Sequence, residues 1–191
     1  MISMNLRLVG VEQALMRLQA VNAKVEPVMR GALNTTATQG RTQRYVRPMS
    51  LTIKPQRLRA ALKVKRANSR RLNARIIPSS SGVLVVNYRN WGFDVLSPTR
   101  ARIWVTGPNG RKVAAGFVNP SSAHKLPLST RSVRAKGAKT YNYQRALQLA
   151  QGPSVAYWFK QLSGGQTIRW INAFLQQEFE KRIRREIARR G

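Results

Sequence analysis

Several residue types that carry chemistry are scarce or missing in this chain of 191 residues. It has no cysteine, a single histidine and six acidic residues. The absence of cysteine excludes disulfides, thiolate metal ligands and thiol nucleophiles. The histidine, His124, lies in a stretch rich in serine, alanine and lysine, which is typical of a surface residue. A zinc site would need further histidines or cysteines that the chain does not have.

The acidic residues are too few and too widely spread for most hydrolytic chemistry. Asp94 is the only aspartate, and no acid lies between Glu26 and Asp94 or between Asp94 and Glu178. Acid–base catalysis and a Mg²⁺-dependent nuclease both need carboxylates or an imidazole gathered in one cleft. The glycine motifs that cradle nucleotide phosphates are also missing. The sequence therefore predicts a protein that is not an enzyme and that holds no metal and no cofactor.

Long apolar runs are missing as well. No stretch approaches the roughly 18 apolar residues that indicate a membrane-spanning helix. The N-terminus lacks the apolar core and the small-residue cleavage site of a secretory signal. We therefore expect no membrane partner and a protein that is assembled in the cytoplasm.

What the chain has in excess is positive charge. Thirty-five lysines and arginines give a formal net charge of +29, and residues 41–75 hold twelve of them without one acid. Solvated charged faces are normally mixed in sign, so this stretch predicts contact with nucleic acid phosphates or with an acidic protein surface. Either partner suits the charge. The candidate contact residues are Arg41, Arg44, Arg47, Arg70, Arg71, Lys181, Arg182, Arg185 and Arg189.

Apolar periodicity predicts helices over most of the first 47 residues. Apolar residues recur there at spacings of three and four, and a second helix should start at Glu26 or Pro27. That helix carries a stripe of mostly small or apolar residues and then the row of three candidate arginines at spacing three. Proline lacks a donor N–H and clashes with the preceding turn, so Pro48 is expected to end the helix.

A second region of helical periodicity closes the chain. Apolar residues from Ile168 to Ile187 recur mainly every three or four residues, which predicts a long amphipathic helix over about 166–189. On this helix Ile171, Leu175, Phe179 and Ile183 should face the core or a neighbouring subunit. Its glutamates should pair with arginines four residues further on, namely Glu178 with Arg182, Glu180 with Arg184 and Glu186 with Arg190.

The middle of the chain reads as short strands. After a short helix over 55–62, apolar residues alternate or form short runs near 62–66, 74–78 and 83–87. The clearest hairpin lies over 101–117, with its turn at Gly107-Pro108-Asn109-Gly110. That turn has the G-x-x-G spacing of a loop that joins two helices and clamps a nucleic-acid backbone in some RNA-binding domains. Here both flanks alternate as strands, so the motif is interpreted as a hairpin turn.

Residues 119–150 show no clear period and are rich in proline, serine, lysine and arginine. Loops of that length are usually functional or become ordered on a partner. We therefore expect a long loop or arm over 119–150 within a single domain spanning 1–191. Helices at both ends and strands between them indicate an α+β fold with a small, mostly antiparallel sheet.

Four segments resemble the minor tail protein Z family of lambda-like tailed phages. They are Gly10-Val11-Glu12-Gln13-Ala14-Leu15, Ala32-Leu33-Asn34-Thr35-Thr36-Ala37, the basic region ending in Ala74-Arg75-Ile76, and the closing helix from Glu178 to Ile187. Chain length and basicity are similar too. Residues 88–150 do not take part in the resemblance.

The resemblance implies a structural virion protein that completes the head-proximal end of the tail, where the tail joins the DNA-filled head. It also implies a homo-oligomeric ring, with sixfold symmetry favoured, among other phage tail and neck proteins and near double-stranded DNA. The family offers no catalytic residues. A free protein that binds nucleic acid without sequence preference is the alternative, and a nuclease is a third, weaker hypothesis.

Overall fold

The computed structural model describes residues 4–5, 11–20, 24–133 and 142–190. Helices lie towards both ends and short antiparallel strands lie between them, so the predicted α+β class is confirmed. The chain forms two compact units. We call residues 1–48, 59–79 and 159–191 the helical unit, and residues 49–58 and 80–158 the strand unit. A single domain over 1–191 stays a prediction.

The helices of the helical unit come from both ends of the chain. Helix α1 spans Val11–Gln19 and α2 spans Val25–Gly40, followed without a break by a π-helical segment, Arg41–Val46. The long helix α6 spans Gly165–Arg190 and packs against α2. No helix in the described part of the chain is long and apolar enough to cross a membrane.

The buried face of α6 is the one that the periodicity predicts. Ile171, Leu175, Phe179 and Ile183 are each at most 6% exposed, and their spacing of four places them on one side of a helix. Helix α2 presents small residues to this face, and Gly40 meets Ile171 directly. Small residues let two helix backbones approach closely, so this stripe is used for packing within the chain.

The prediction that Pro48 ends its helix is wrong. Helix α3, Arg47–Ser50, continues from the π-helical segment and includes Pro48. In that segment an N–H bonds to the carbonyl five residues back, as Arg47 does to Thr42, which makes a wider turn than in an α-helix. We attribute the tolerance of proline to this wider turn, because in a regular α-helix its ring would collide with the carbonyl of Arg44.

A three-stranded antiparallel sheet completes the helical unit. Its strands are β1 (Met4–Asn5), β2 (Leu62–Lys65) and β3 (Arg75–Pro78), in the order β1–β3–β2. Helix α4, Pro55–Ala61, leads directly into β2. The expected short helix near 55–62 and the strands near 62–66 and 74–78 are therefore confirmed.

In the described part of the chain, the strand unit contains one three-stranded sheet and two strand pairs. Strands β5 (Trp91–Ser97), β6 (Arg100–Gly107) and β7 (Gly110–Val113) form an antiparallel meander, while β4 (Gly82–Leu84) pairs with β10 (Gln151–Ser154). The predicted hairpin turn is confirmed, since the first and last glycines of Gly107-Pro108-Asn109-Gly110 pair across it. A positive φ of 104° at the last glycine explains why glycine stands there.

The core of the strand unit is built on the alternation of β6. Ala101, Ile103 and Val105 are all buried, as their spacing predicts. Tyr88 and Trp158 fill the same core. Trp158 lies in α5 (Val155–Leu162), a helix that the sequence did not predict.

The segment 119–150 differs from the predicted loop. Strands β8 (Leu128–Val133) and β9 (Asn142–Leu149) lie within it and pair antiparallel. Residues 134–141 lie outside the described residues, and with them part of the lysine- and arginine-rich stretch. That the segment is an arm ordered by contacts with other molecules stays a prediction.

Candidate polyanion interface

The three arginines at spacing three do not form one exposed row. Arg41 donates from Nη1 to the carbonyl of Leu62 (3.5 Å), and Arg44 donates from Nη2 to Thr167 Oγ1 (3.3 Å). Both side chains are half-buried, and the Nε of each is buried without a hydrogen-bond partner among the described residues. The guanidinium of Arg44 also lies 5.8 Å from the centre of the Trp170 ring. These two arginines are thus largely engaged inside the helical unit.

Arg47, the third of the row, is exposed. Its Nη1 donates to Gln43 Oε1 at 3.3 Å, one helical turn back. Such a contact between exposed side chains is easily exchanged for another partner. Of the three arginines, Arg47 alone is exposed.

Arg70 and Arg71 lie at the tip of the connection between β2 and β3. The side chain of Asn68 fixes this turn, because its Oδ1 accepts hydrogen bonds from the backbone N–H groups of Arg70 (3.1 Å) and Arg71 (2.9 Å). Both arginine side chains are exposed. The turn therefore holds two cations outward on an ordered backbone.

The two strands that carry this turn have a basic outer face. The core-facing side holds Leu62 and Ile76, both buried, whereas Lys63 and Lys65 alternate with them and are exposed. Lys65 stands directly opposite Arg75 in the antiparallel register; Arg75 is half-buried, and its Nε is buried without a hydrogen-bond partner among the described residues. We call residues 62–78 the basic hairpin; its cations are Lys63, Lys65, Arg66, Arg70, Arg71 and Arg75.

Sequence reasoning selected only the two arginines at the tip of the basic hairpin. The alternation of Lys63 and Lys65 with apolar residues was the signal that could have found the outer face. The position of Lys65 opposite Arg75 follows from the strand register, and no sequence pattern predicts that register across the intervening turn.

The cations of α6 are of two kinds. Lys181, Arg185 and Arg189 recur every four residues and are exposed. Arg182 instead donates from Nε to Glu178 Oε1 (2.8 Å) and from Nη2 to Thr35 Oγ1 on α2 (2.9 Å). Its guanidinium reaches Thr35 by passing over Gly31, where a side chain would collide with it. Arg182 is therefore chiefly a tie between α6 and α2.

A concave surface lies between the start of α2 and the end of α6. Its volume is about 500 Å³, and Pro27 and Val28 form its apolar part. Two cations that the sequence analysis did not select, Lys24 and Arg190, complete the lining. The charged lining residues are Lys24, Arg182, Arg185, Glu186, Arg189 and Arg190.

Glu186, the one acid of this concave surface, is held by its neighbours. Its Oε1 accepts hydrogen bonds from Arg190 Nε and from Arg189 Nη2, each at 2.7 Å. These bonds, that of Arg190 first, lower the pKa of the Glu186 carboxyl. The carboxylate offsets part of the positive charge at this end of α6, which leaves the surface less basic than its cations alone suggest.

Among the described residues, four of the five remaining acids are also paired with arginines. The predicted pairs Glu178–Arg182 (2.8 Å), Glu180–Arg184 (4.0 Å) and Glu186–Arg190 (2.7 Å) are confirmed. Glu26 pairs with Arg30 at 3.9 Å. Five of the six carboxylates of the chain thus lie within 4.0 Å of an arginine, once Asp94 is included.

Asp94 and His124 show no catalytic arrangement among the residues that the structure describes. The Asp94 carboxylate lies between Arg102 (3.6 Å) and Arg111 (4.0 Å), and Arg111 also covers the ring of Trp104 at 3.6 Å. His124 is exposed. Within the same described ranges, no group of three or more histidines and acids is placed to hold a metal ion.

The exposed cations of the described residues can bind anionic groups. Lysine and arginine bind phosphate or carboxylate oxygens through charge-assisted hydrogen bonds. Comparisons of this chain with models of protein families, with curated proteins and with solved structures find no match. The resemblance to the phage tail-completion family rests on the sequence segments alone.

Proposed function

We propose that this protein is a structural, non-enzymatic virion protein that completes the head-proximal end of a phage tail and supports head–tail joining. The observation that carries the proposal is the imbalance of charge. Six carboxylates, five of them already beside arginines, are set against thirty-five cations. A surface of this kind favours a polyanion at close range, and the DNA channel of a head–tail junction supplies one.

The proposed location in the virion implies which partners the protein contacts. The protein is made in the host cytoplasm and ends in the virion, at the tail or neck, as a homo-oligomeric ring with sixfold symmetry favoured. Its neighbours are other tail and neck proteins, and double-stranded DNA passes nearby. The resemblance to the tail-completion family supports each of these points.

The proposal is tested by removing the protein from the phage that encodes it. With a premature stop codon in the gene, we expect DNA-filled heads to accumulate separately from tails that lack their head-proximal end. Purified protein added to that lysate should restore infectious particles. Normal particles made without the protein would overturn the proposal.

A free protein that binds nucleic acid without sequence preference is the alternative, since the same charge imbalance favours it. The two differ in where the protein is found. Mass spectrometry of purified virions should detect it at a fixed copy number for a tail-completion protein. Absence from virions, together with recovery on nucleic acid from the lysate, would favour the alternative.

The non-enzymatic part of the proposal has its own test. Purified protein incubated with DNA and Mg²⁺ should leave the DNA intact, because Asp94 is held by two arginines and has no carboxylate beside it in the described residues. Cleavage that disappears in an Asp94→Asn variant would support the nuclease hypothesis instead.

A further inference from the structure

The outer face of the basic hairpin places like charges against one another. Of the four β2 and β3 side chains on this face, three are cations (Lys63, Lys65 and Arg75) and the fourth is Ile77. Residues directly opposite in an antiparallel pair have Cβ atoms about 4.5–5.5 Å apart, and like charges there destabilise the sheet. Lys65 and Arg75 are in that position. An anion placed over both would remove the repulsion.

No carboxylate of the hairpin itself supplies that anion. Residues 62–78 contain no acid, and the nearest acids along the chain are Glu26 and Asp94. Glu26 already pairs with Arg30, and Asp94 with Arg102 and Arg111. Among the described residues, no ion pair joins a cation of the hairpin to an acid, which leaves a partner molecule to supply the counter-charge for the face.

The composition of the face favours nucleic acid over protein. The centres of protein–protein interfaces are depleted of charged residues and of lysine in particular, and are rich in aromatic residues. Interfaces with DNA are more polar and far more positively charged. The basic hairpin has six cations, no acid and no aromatic residue, which is the composition of the second kind.

The same residues favour a duplex over a single strand. Single strands are usually held by aromatic side chains that stack on unpaired bases, and residues 62–78 contain none. Base edges are read by arginine and lysine, which contact guanine, and by asparagine and glutamine, which contact adenine. The Oδ1 of Asn68 is already occupied by two backbone N–H groups of the turn.

We infer that the outer face and tip of the basic hairpin bind the phosphate backbone of double-stranded DNA. The choice of DNA rests on the proposed function. The location rests on the register that sets Lys65 against Arg75 and on the exposure of Lys63, Arg70 and Arg71. This places the main DNA contact on a β-hairpin rather than on the arginine row of the π-helical segment, two of whose members are turned into the helical unit.

The test is a salt titration of DNA affinity with purified full-length protein. Binding to a short fluorescent duplex is measured by anisotropy over a range of NaCl concentrations. The hairpin variant replaces Lys63, Lys65 and Arg70 by glutamine; all three are exposed, so folding should be preserved and is checked by circular dichroism. The slope of log K against log[salt] should become shallower by up to about 2.7, at about 0.9 for each phosphate that the variant no longer neutralises.

A control variant removes the same charge elsewhere. Arg17, Lys160 and Arg169 are exposed cations of the helical unit outside the hairpin. Replacing all three by glutamine lowers the net charge equally, so it measures the contribution of long-range attraction alone. We expect the slope of this control variant to stay within about one unit of the wild-type slope, the change that a single phosphate would cause.

Three results would overturn the inference. Equal changes in the two variants would mean a diffuse charge effect without a defined surface. Tighter binding of a single strand than of a duplex with the same number of phosphates would exclude the duplex backbone as the ligand. Wild-type DNA affinity in a hairpin variant that no longer enters particles would assign the face to an acidic protein.

The outcome is separable from that of the proposed function. A hairpin variant with weakened DNA binding that still joins heads to tails would support the contact and argue against its role in joining. Failure of head–tail joining without any DNA affinity in the wild type would support the structural role and overturn the hairpin inference.

Discussion

Tyr88 and Trp158 are buried in the strand unit and share one hydrogen-bonded chain. The Tyr88 hydroxyl donates to the carbonyl of Pro153 (2.6 Å) and accepts from the indole N–H of Trp158 (2.9 Å). Burial raises the pKa of Tyr88 to about 12, although the hydrogen bond with Trp158 acts in the opposite direction. At the residue scale, the ionisation of the Tyr88 hydroxyl therefore makes the stability of the protein depend on pH.

The first prediction follows from the sign of that linkage. Because the folded pKa lies above the unfolded value of 10.0, the stabilisation is fully present below about pH 10 and is lost as pH rises towards about 12. A Tyr88→Phe variant has no such proton. The difference in unfolding free energy between wild type and variant should therefore shrink by on the order of 2–3 kcal/mol across that window.

Urea unfolding of both proteins at a series of alkaline pH values measures the difference directly. Effects of lysine titration are common to both proteins and cancel. Below about pH 9 the variant should be less stable by about 1–3 kcal/mol, since the indole N–H of Trp158 loses its acceptor. A difference that stays constant up to about pH 12 would contradict the assignment.

The second prediction concerns the centre of the apolar face of α6. Phe179 is 1% exposed, whereas Ile168 on the same helix is 45% exposed. Phe179→Ala should lower the unfolding free energy by about 3–5 kcal/mol, because it removes a large buried side chain and leaves a cavity. Ile168→Ala should change it by no more than about 0.5 kcal/mol. Thermal or chemical unfolding of the two variants checks both values, and similar stability in the two would show the face to be wrongly assigned.

At the scale of elements, the arginines of α6 divide into packing and surface residues. Arg182 joins α6 to α2 through Thr35, and its partner Glu178 has a side chain only 13% exposed. Removing Arg182 would leave that carboxylate without its cation. Arg185, three residues further on, is exposed. One turn of helix thus carries two arginines with different roles.

The third prediction compares these two positions. Arg182→Gln should destabilise the protein by about 1–2 kcal/mol, a range reduced for the partial exposure of the pair. It should leave the salt dependence of DNA binding unchanged. Arg185→Gln should change stability by no more than about 0.5 kcal/mol. If Arg182→Gln made the salt slope shallower without loss of stability, Arg182 would be a phosphate contact after all.

Elements with a clear period could be predicted from the sequence, and those held by distant contacts could not. The alternation over 101–117 indicated the hairpin, and the fourfold spacing from Ile171 to Ile183 indicated the face of α6. Helix α5 is short and rich in aromatic residues, so its pattern does not distinguish a helix from a buried strand. Strands β8 and β9 lack alternation and are defined by their pairing, which is a tertiary property.

The sequence predicted the positive charge of the candidate interface but only part of its position in the fold. The charge of residues 41–75 was read directly from the sequence, and Arg70 and Arg71, which were selected only as candidate contacts, lie on an exposed turn. Arg41 and Arg44 were placed by assuming an α-helical period. A π-helical turn has more residues per turn, so side chains three apart project in directions that this period does not predict, and these two point into the helical unit.

At the scale of the whole molecule, the positive charge acts against the fold. A net charge of +29 repels itself in the compact state, and Lys65 faces Arg75 within one sheet. Salt screens such repulsion over a Debye length that falls from about 30 Å at 0.01 M to about 3 Å at 1 M. Ion pairs such as Glu178–Arg182 are weakened by the same screening, but the chain has only six acids to form them. Repulsion between the cations should therefore outweigh the attraction within the ion pairs.

The last prediction is therefore that salt stabilises this protein. The melting temperature of the wild type should rise as NaCl increases from about 0.01 M to about 0.5 M. At the lower concentration the Lys63, Lys65 and Arg70 to glutamine variant should be more stable than the wild type, by up to about 1 kcal/mol for each pair of facing like charges removed. At the higher concentration the two should converge. A melting temperature that falls with salt would show that the ion pairs of α6 outweigh the repulsion. Equal gains in the Arg17, Lys160 and Arg169 control variant would show that the repulsion is spread over the surface and is not concentrated where the basic hairpin sets Lys65 against Arg75.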